Sequence, residues 1–230
     1  MKEPERTKVA ITGAKGIIGT ILTQGLKDFE ILPIDLPEVD VRDYDQLKNS
    51  LQGQDIVIHL AWDTEIENFH TGKINPDNLL MVVNIYKAAQ EKSVKRVIMA
   101  SSIHADQFLA WQGEKLMSPD LIPVPDSLYG ASKVFAEALG RHFATRGLEV
   151  VCIRFGGVTF QDQPTSTNVC ERASHLKQND CIGLVKICLN AKNIPNNFLI
   201  VYGVSDNEGR ILDYSNPLGW QPKEGVKTNF

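Results

Sequence analysis

The sequence predicts an α/β fold built on a doubly wound parallel sheet. Three observations carry this expectation. Short apolar segments alternate with helix-length periodic segments along most of the 230-residue chain, which is the pattern of a parallel sheet with crossover helices. One of them, IVIHL at residues 56–60, is apolar enough to be covered on both faces. A glycine-rich TGAKGIIG at residues 12–19 falls between the first strand and the first helix.

Taken in order, Lys8–Thr12 reads as a short buried strand, with Val9 and Ile11 among small residues. The glycine loop follows. A helix then runs from about Ile17 to Lys27, with Ile17, Ile18, Ile21 and Leu22 on one stripe. Ile31–Asp35 is a second strand ending in an acid. Asp43–Leu51 reads as a helix, with Gly53 placed to stop it. Ile56–Leu60 is the third strand. Asn75-Pro76 starts a helix that reaches about Lys92, an Asn cap followed by Pro in the first turn. Arg96–Ala100 is the fourth strand, ending at Ser101-Ser102. Ala105–Asp126 holds Pro119, Pro123 and Pro125 and reads as a long loop with room for a short helix; long loops in compact domains are often functional. Leu128–Arg146 is a helix stopped by Gly147, and Val150–Arg154 is the fifth strand. Beyond it a polar stretch, Gln161–Asn168, leads to a helix near Cys181–Asn190 and a late strand at Phe198–Val201.

Residues 1–154 therefore read as a dinucleotide-binding core, and residues 155–230 as a small substrate-side cap within one compact unit. The net charge of −4 supplies no basic field for nucleic acid and no polybasic stretch for a membrane. No apolar run is long enough to span a bilayer. The N-terminal MKEPERTK lacks the apolar core of a signal peptide. Cys152, Cys170, Cys181 and Cys188 form no CxxC pair and have no histidine at zinc-finger spacing, so they read as reduced packing residues with no metal site. Cytoplasmic location is the resulting expectation.

Gly13, Gly16 and Gly19 have the spacing of a Rossmann-like phosphate cradle. The first two allow a tight turn and close approach to a pyrophosphate, and the third allows helix to pack on strand. Ile17 and Ile18 open the helix whose N–H groups would face the anion. Asp35 stands twenty-two residues after Gly13. A carboxylate there accepts hydrogen bonds from ribose hydroxyls and repels a 2′-phosphate, which favours NAD over NADP. Lys15 argues mildly the other way, since a cation in the loop can approach that phosphate. Asp40, which precedes Val41 in the DVRD stretch, reads either as a partner for the adenine amine or as the cap of the following helix.

Tyr129 and Lys133 in YGASK are four residues apart, which puts phenol and ammonium on one helical face. Hydride loss from an alcohol also requires loss of the hydroxyl proton. A phenol with an ordinary pKa of about 10 is a poor base at neutral pH unless a nearby cation stabilises the phenolate. Lys133 and a positive nicotinamide meet that need, and Lys133 can also hold the nicotinamide ribose. Ser101 and Ser102 end the fourth strand, where an open α/β sheet places its ligands.

TGAKGIIG, Asp35, DIVIHLA, ASSIH and YGASK together resemble the extended short-chain dehydrogenases/reductases, the NAD-dependent epimerase/dehydratase family, over nearly the whole chain. SSIH, PDSLYGASKVFAE, IRFGG, VYGVSDN and NPLGWQPKE resemble the uronate dehydrogenases within it. The resemblance implies a Ser102–Tyr129–Lys133 triad, with Asn78 near the active site and Leu60 and Ala61 along the cofactor. It implies Thr64 approaching the substrate, and His104 beside the sugar through its backbone or else a loop histidine without a role. Where uronate dehydrogenases carry Asn after the catalytic Ser, this chain has Ile103, and a substrate serine is replaced by Gly157. No Arg stands at the place aligned with the carboxylate-gripping one; Arg172 is the nearest candidate, or else a solvated charge. Trp62 and Met81 replace small residues and narrow the pocket.

The leading expectation is an NAD-dependent oxidoreductase acting on a small sugar or sugar acid, a homodimer through the helices that begin near Asn75 and Ser127. The alternatives are a nucleotide-sugar epimerase or dehydratase, and a non-catalytic NAD-binding regulator.

Overall fold

The structure, a computed structural model, describes residues 6–63, 72–113 and 115–227. Six strands form one sheet in the order β2-β1-β3-β4-β5-β6. They are β1 (Lys8–Thr12), β2 (Glu30–Ile34), β3 (Ile56–His59), β4 (Arg96–Ser102), β5 (Glu149–Phe155) and β6 (Phe198–Gly203). Every neighbouring pair is parallel. The helices are α1 (Ile17–Gly25), α2 (Tyr44–Ser50), α3 (Pro76–Glu91), α4 (Leu128–Ala144), α5 (Val169–Ala173) and α6 (Gln178–Asn190).

Successive strand residues point to opposite faces, and the core divides accordingly. Val9, Ile11, Ile58, Ile98, Val151 and Ile153 pack with Leu22 of α1 and Leu184, Val185 and Cys188 of α6. Ala10, Val57, Val97, Met99, Val150 and Cys152 pack with Leu47 of α2, Val82 and Ile85 of α3 and Phe143 of α4. The doubly wound expectation holds: helices cover both faces. All four residues of β3 are buried, as its continuous apolar run requires.

From β1 the chain passes first to β2 on one side and then to β3 on the other. This reversal opens a crevice beyond the carboxyl ends of β1 and β3, where Thr12 pairs in register with His59. The loops after both strands define the site.

Several boundaries differ from the sequence-based ones. Asp35 lies just past β2, which ends at Ile34. α1 stops at Gly25, where a Cβ would come within 2.4 Å of Ile182 on α6. α5 was not expected; it follows the polar stretch and is capped by the Asn168 side chain, which accepts from the N–H groups of Cys170 and Glu171. α6 begins three residues early, and β6 runs on to Gly203. Among the described residues of 105–126, helical structure is confined to the end of the 3-10 turn Ile103–Ala105 and a second 3-10 turn at Phe108–Ala110. The last third is tied into the sheet by β6 and packs Trp220 into the core. All four cysteines are unpaired, and Cys152, Cys181 and Cys188 are buried.

Candidate functional site

Two adjoining cavities, of about 370 and 430 Å³, run along the crevice and share Gly13, Gly16, Leu60 and Trp62. One end is lined by Asp35, Asp40, Val41 and Ala61. The other is lined by Ser102, Ile103, His104, Tyr129, Lys133 and Gly157. Gly16, Ile17, Ile18 and Gly19 lie between them at the start of α1. Gly13 has φ of +70°, and a Cβ on it would meet Ala61 N at 2.6 Å. A Cβ on Gly19 would stand 2.3 Å from Gly13 O. The loop is thus folded tightly against β3 and closes on itself only with glycine at these positions.

At the acidic end, the Asp35 carboxylate accepts from Lys15 N at 2.7 Å and Leu36 N at 2.8 Å. Each oxygen keeps acceptor capacity for a hydroxyl. The Lys15 ammonium donates to Leu36 O at 2.5 Å and Glu38 Oε2 at 2.8 Å. Asp40 does not cap α2; Asp43 does, accepting from Asp45 N and Gln46 N. The Asp40 carboxylate instead grips Arg42 through its Nε and Nη2 at 2.7–3.0 Å, and that guanidinium holds its carboxyl below the usual range. Asn78 lines neither cavity. Both ends of its amide bond Asp63, accepting from N at 2.8 Å and donating to O at 3.0 Å, so it fixes the chain that follows Trp62.

At the other end, Ser127 caps α4 by accepting from Gly130 N. This sets the first turn, which carries Tyr129, against Ser102. The Ser102 hydroxyl accepts from His104 N at 3.3 Å and hydrogen-bonds the Tyr129 phenol. Burial raises the Tyr129 pKa, while the Ser102 hydrogen bond opposes the rise. Lys133 lies one helical turn beyond Tyr129 and lines the same cavity. Its ammonium donates to Ala100 O at 3.0 Å and lies 3.3 Å from the centroid of the Trp62 ring, but 5.6 Å from that of Tyr129. Lys133 is only 3 % exposed, and burial drives its pKa well down against the favourable field of Glu137.

His104 is placed beside the site. Its ring packs edge-on against Tyr129 at 5.8 Å and Phe108 at 5.4 Å, and Nδ1 pairs with Asp126 at 2.7 Å. Its carbonyl accepts from Asp126 N and closes over Gly130, so that carbonyl is engaged within the protein. Ile103 is buried and lines the crevice, as does Gly157. Arg172 is not among the residues lining the site; its neighbour Glu171 faces a side cavity that shares Ile103, His104 and Gly157 with the main one. Thr64 lies outside the described residues.

Sequence reasoning missed the support beneath the site. Glu137, one turn beyond Lys133, accepts from Ser101 Oγ at 2.5 Å and from Arg154 Nε and Nη2, each at 2.8 Å. Arg154 is wholly buried and also pairs with Asp106, which accepts from Tyr202. The i, i+4 spacing of Lys133 and Glu137 was the one local clue.

Comparison with known proteins supplies independent findings. The NAD dependent epimerase/dehydratase family model matches residues 9–172. The chain is 31% identical over 260 residues to L-arabinose 1-dehydrogenase (NAD(P)(+)) of Haloferax volcanii, covering 96% of this chain and 98% of that protein. It is 28% identical over 237 residues to uronate dehydrogenase of Agrobacterium fabrum, covering 96% and 86%. The crystal structure of uronate dehydrogenase from Agrobacterium tumefaciens superposes with a TM-score of 0.79 at 26% identity, covering 95% of this chain and 85% of that one.

Proposed function

The chain belongs to the NAD-dependent epimerase/dehydratase family, and on that premise we propose that it is an NAD-dependent dehydrogenase of a small sugar or sugar acid. The observation that carries this reading is the continuity of the crevice. It joins a ribose-binding acid, a phosphate-binding helix start and a hydrogen-bonded Ser102–Tyr129 pair in one trough.

The residues fit a dinucleotide. Asp35 would hold the adenosine ribose, and Val41 and Ala61 would flank the adenosine half. The N–H groups at Gly16, Ile17 and Ile18 would meet the pyrophosphate, and Lys133 would hold the second ribose. With Lys15 committed to Glu38, the carboxylate of Asp35 decides the preference, for NAD. When bound, the nicotinamide supplies the hydride acceptor. Ser102 orients the substrate hydroxyl and donates to the phenolate form of Tyr129. Tyr129 takes the hydroxyl proton as the carbon-bound hydrogen leaves as hydride. Lys133, beneath them, offsets the negative charge of the phenolate.

The space beyond Tyr129 favours a monosaccharide over a nucleotide sugar. The side cavity is about 180 Å³, on the order of six water volumes. The relatives named above are, by name, dehydrogenases of L-arabinose and of uronates. No helix among the described residues is long and apolar enough to cross a membrane; cytoplasmic location is part of this proposal. So is a homodimer, for which the exposed Leu80 of α3 and Leu128 and Phe135 of α4 offer an apolar face.

The test is a screen of aldoses, uronates and sugar phosphates, following NADH absorbance. Turnover with one class supports the reading. A protein that binds NAD but reduces it with none of them is not this enzyme.

A further inference from the structure

The side cavity holds chemistry that the mechanism above does not use. It opens from the main site through Ile103, His104 and Gly157 and is bounded on its far side by Glu171 and His175. The main chain of Glu171 is engaged in α5: its N donates to Asn168 Oδ1 at 3.3 Å and its O accepts from Ser174 N at 3.1 Å. Its carboxylate has no hydrogen-bond or ion-pair partner among the described residues. His175 is 1% exposed, and its Nε2 is buried without a partner. Burial, aided by Lys177, pushes its pKa down, so the ring stays neutral. Among the described residues lining the side cavity and the Tyr129 end of the crevice, Lys133 is the only Lys or Arg, and its ammonium points to Ala100 O and the Trp62 face. Among the described residues, the side-cavity wall that a sugar would meet beyond Tyr129 therefore carries one unpaired negative charge and no positive one.

A carboxylate has about four acceptor positions and no donor. It suits a pair of neighbouring hydroxyls and opposes another anion, and a like-charge contact in a closed site disfavours the wrong partner strongly. Building on the dehydrogenase reading, we infer that the substrate is an uncharged aldose and that Glu171 is the residue that selects it. Glu171 accepts hydrogen bonds from sugar hydroxyls and turns away uronates and sugar phosphates. Arg172, one residue on, does not line the cavity.

The test compares D-galactose with D-galacturonate, which differ only in the group at C6, and with D-galactose 6-phosphate. Initial rates are followed by NADH absorbance for the wild type, Glu171→Gln and Glu171→Arg. In the wild type, kcat/KM for galactose should exceed that for galacturonate by about tenfold or more. Glu171→Gln should narrow the ratio by raising the galacturonate value. Glu171→Arg should invert it, because a bidentate guanidinium is the natural carboxylate partner. A wild-type preference for galacturonate overturns the inference while leaving the dehydrogenase reading intact. A ratio unchanged in both folded variants, checked by thermal melting, also overturns it. Failure to reduce NAD with any sugar of the wider aldose, uronate and sugar-phosphate screen, in a protein that binds NAD, instead removes the dehydrogenase reading and this inference with it.

Discussion

The Lys133 ammonium lies 3.3 Å from the centroid of the Trp62 ring, and the same ring stands edge-on to Tyr129 at 6.4 Å. Trp62 also lines both cavities of the crevice. A desolvated cation–π contact is worth about 2 kcal/mol. The ring therefore competes for the ammonium with any ribose hydroxyl, and cofactor binding has to exchange one contact for the other.

That exchange predicts an optical change. The chain has three tryptophans, Trp62, Trp111 and Trp220. In a Trp111→Phe, Trp220→Phe background, saturation with NAD should alter the remaining emission as Trp62 leaves the ammonium. In the wild type with only Trp62→Phe added, that change should disappear. An emission change of the same size in the Trp62→Phe protein would show that the ring is not displaced.

Ser102 sets the pH dependence. Burial raises the Tyr129 pKa and the Ser102 hydrogen bond lowers it. Sugar oxidation needs Tyr129 unprotonated, so its rate should rise with pH through the Tyr129 pKa. Ser102→Ala removes the opposing hydrogen bond. The rising limb should move to higher pH, and kcat at neutral pH should fall about 10²-fold, as for loss of one positioned donor. A pH–rate profile checks this; a lower kcat with the limb unmoved would assign Ser102 to substrate orientation alone.

Arg154 is the keystone of the buried charges behind the site, at 0% exposure between Glu137 and Asp106. Arg154→Met leaves two carboxylates uncompensated in the interior and should cost about 3–5 kcal/mol of stability. Urea denaturation measures it. Arg154→Met combined with Glu137→Leu and Asp106→Leu should recover much of the loss while leaving Lys133 without its carboxylate neighbour. A single-variant cost below about 1 kcal/mol, the value of an exposed pair, would contradict the placement.

His59 makes the fold acid-sensitive. It is 1% exposed; its Nδ1 meets Thr12 Oγ1 at 2.7 Å and its Nε2 has no partner. Burial, with Lys133 nearby, pushes its pKa down from 6.5 to about 3. The unfolded chain takes up this proton as pH falls through 6.5 and the native protein does not until about 3. The contribution is therefore complete above pH 6.5 and erodes below it, by about 1.4 kcal/mol per pH unit. His59→Gln should flatten the fall in stability measured by urea denaturation between pH 6.5 and 4.5. An unchanged slope would mean that His59 protonates within the fold.

Much of the site was legible because its parts are local. GxxGxxG after a strand, an acid at the end of the next, and Tyr129–Lys133 on one helix turn each convert spacing directly into geometry. The pair Ser101-Ser102 could be read because strand ends in an open sheet face the crevice, and the family resemblance singled out Ser102. What stayed hidden depends on contacts distant in sequence or on fine phase. Arg154 meets Asp106 across 48 residues, and nothing local announces that pairing. Lys133 turns to Trp62 because packing around β3 puts the ring there. The choice between Arg172 and Glu171 is one step of phase on a five-residue helix, too short for periodicity to fix.

The most direct test of the central claim is the fate of the hydrogen on the oxidised carbon. A sugar oxidised in the screen, deuterated at the carbon that loses its hydrogen, is incubated with the protein and NAD, and both NADH and sugar product are analysed by mass spectrometry. The account predicts one deuterium on the nicotinamide for each sugar oxidised, none of it exchanged with water, and both products lost together in Tyr129→Phe while NAD still binds. Deuterium retained in the sugar with no net NADH, or oxidation undiminished in Tyr129→Phe, would contradict it.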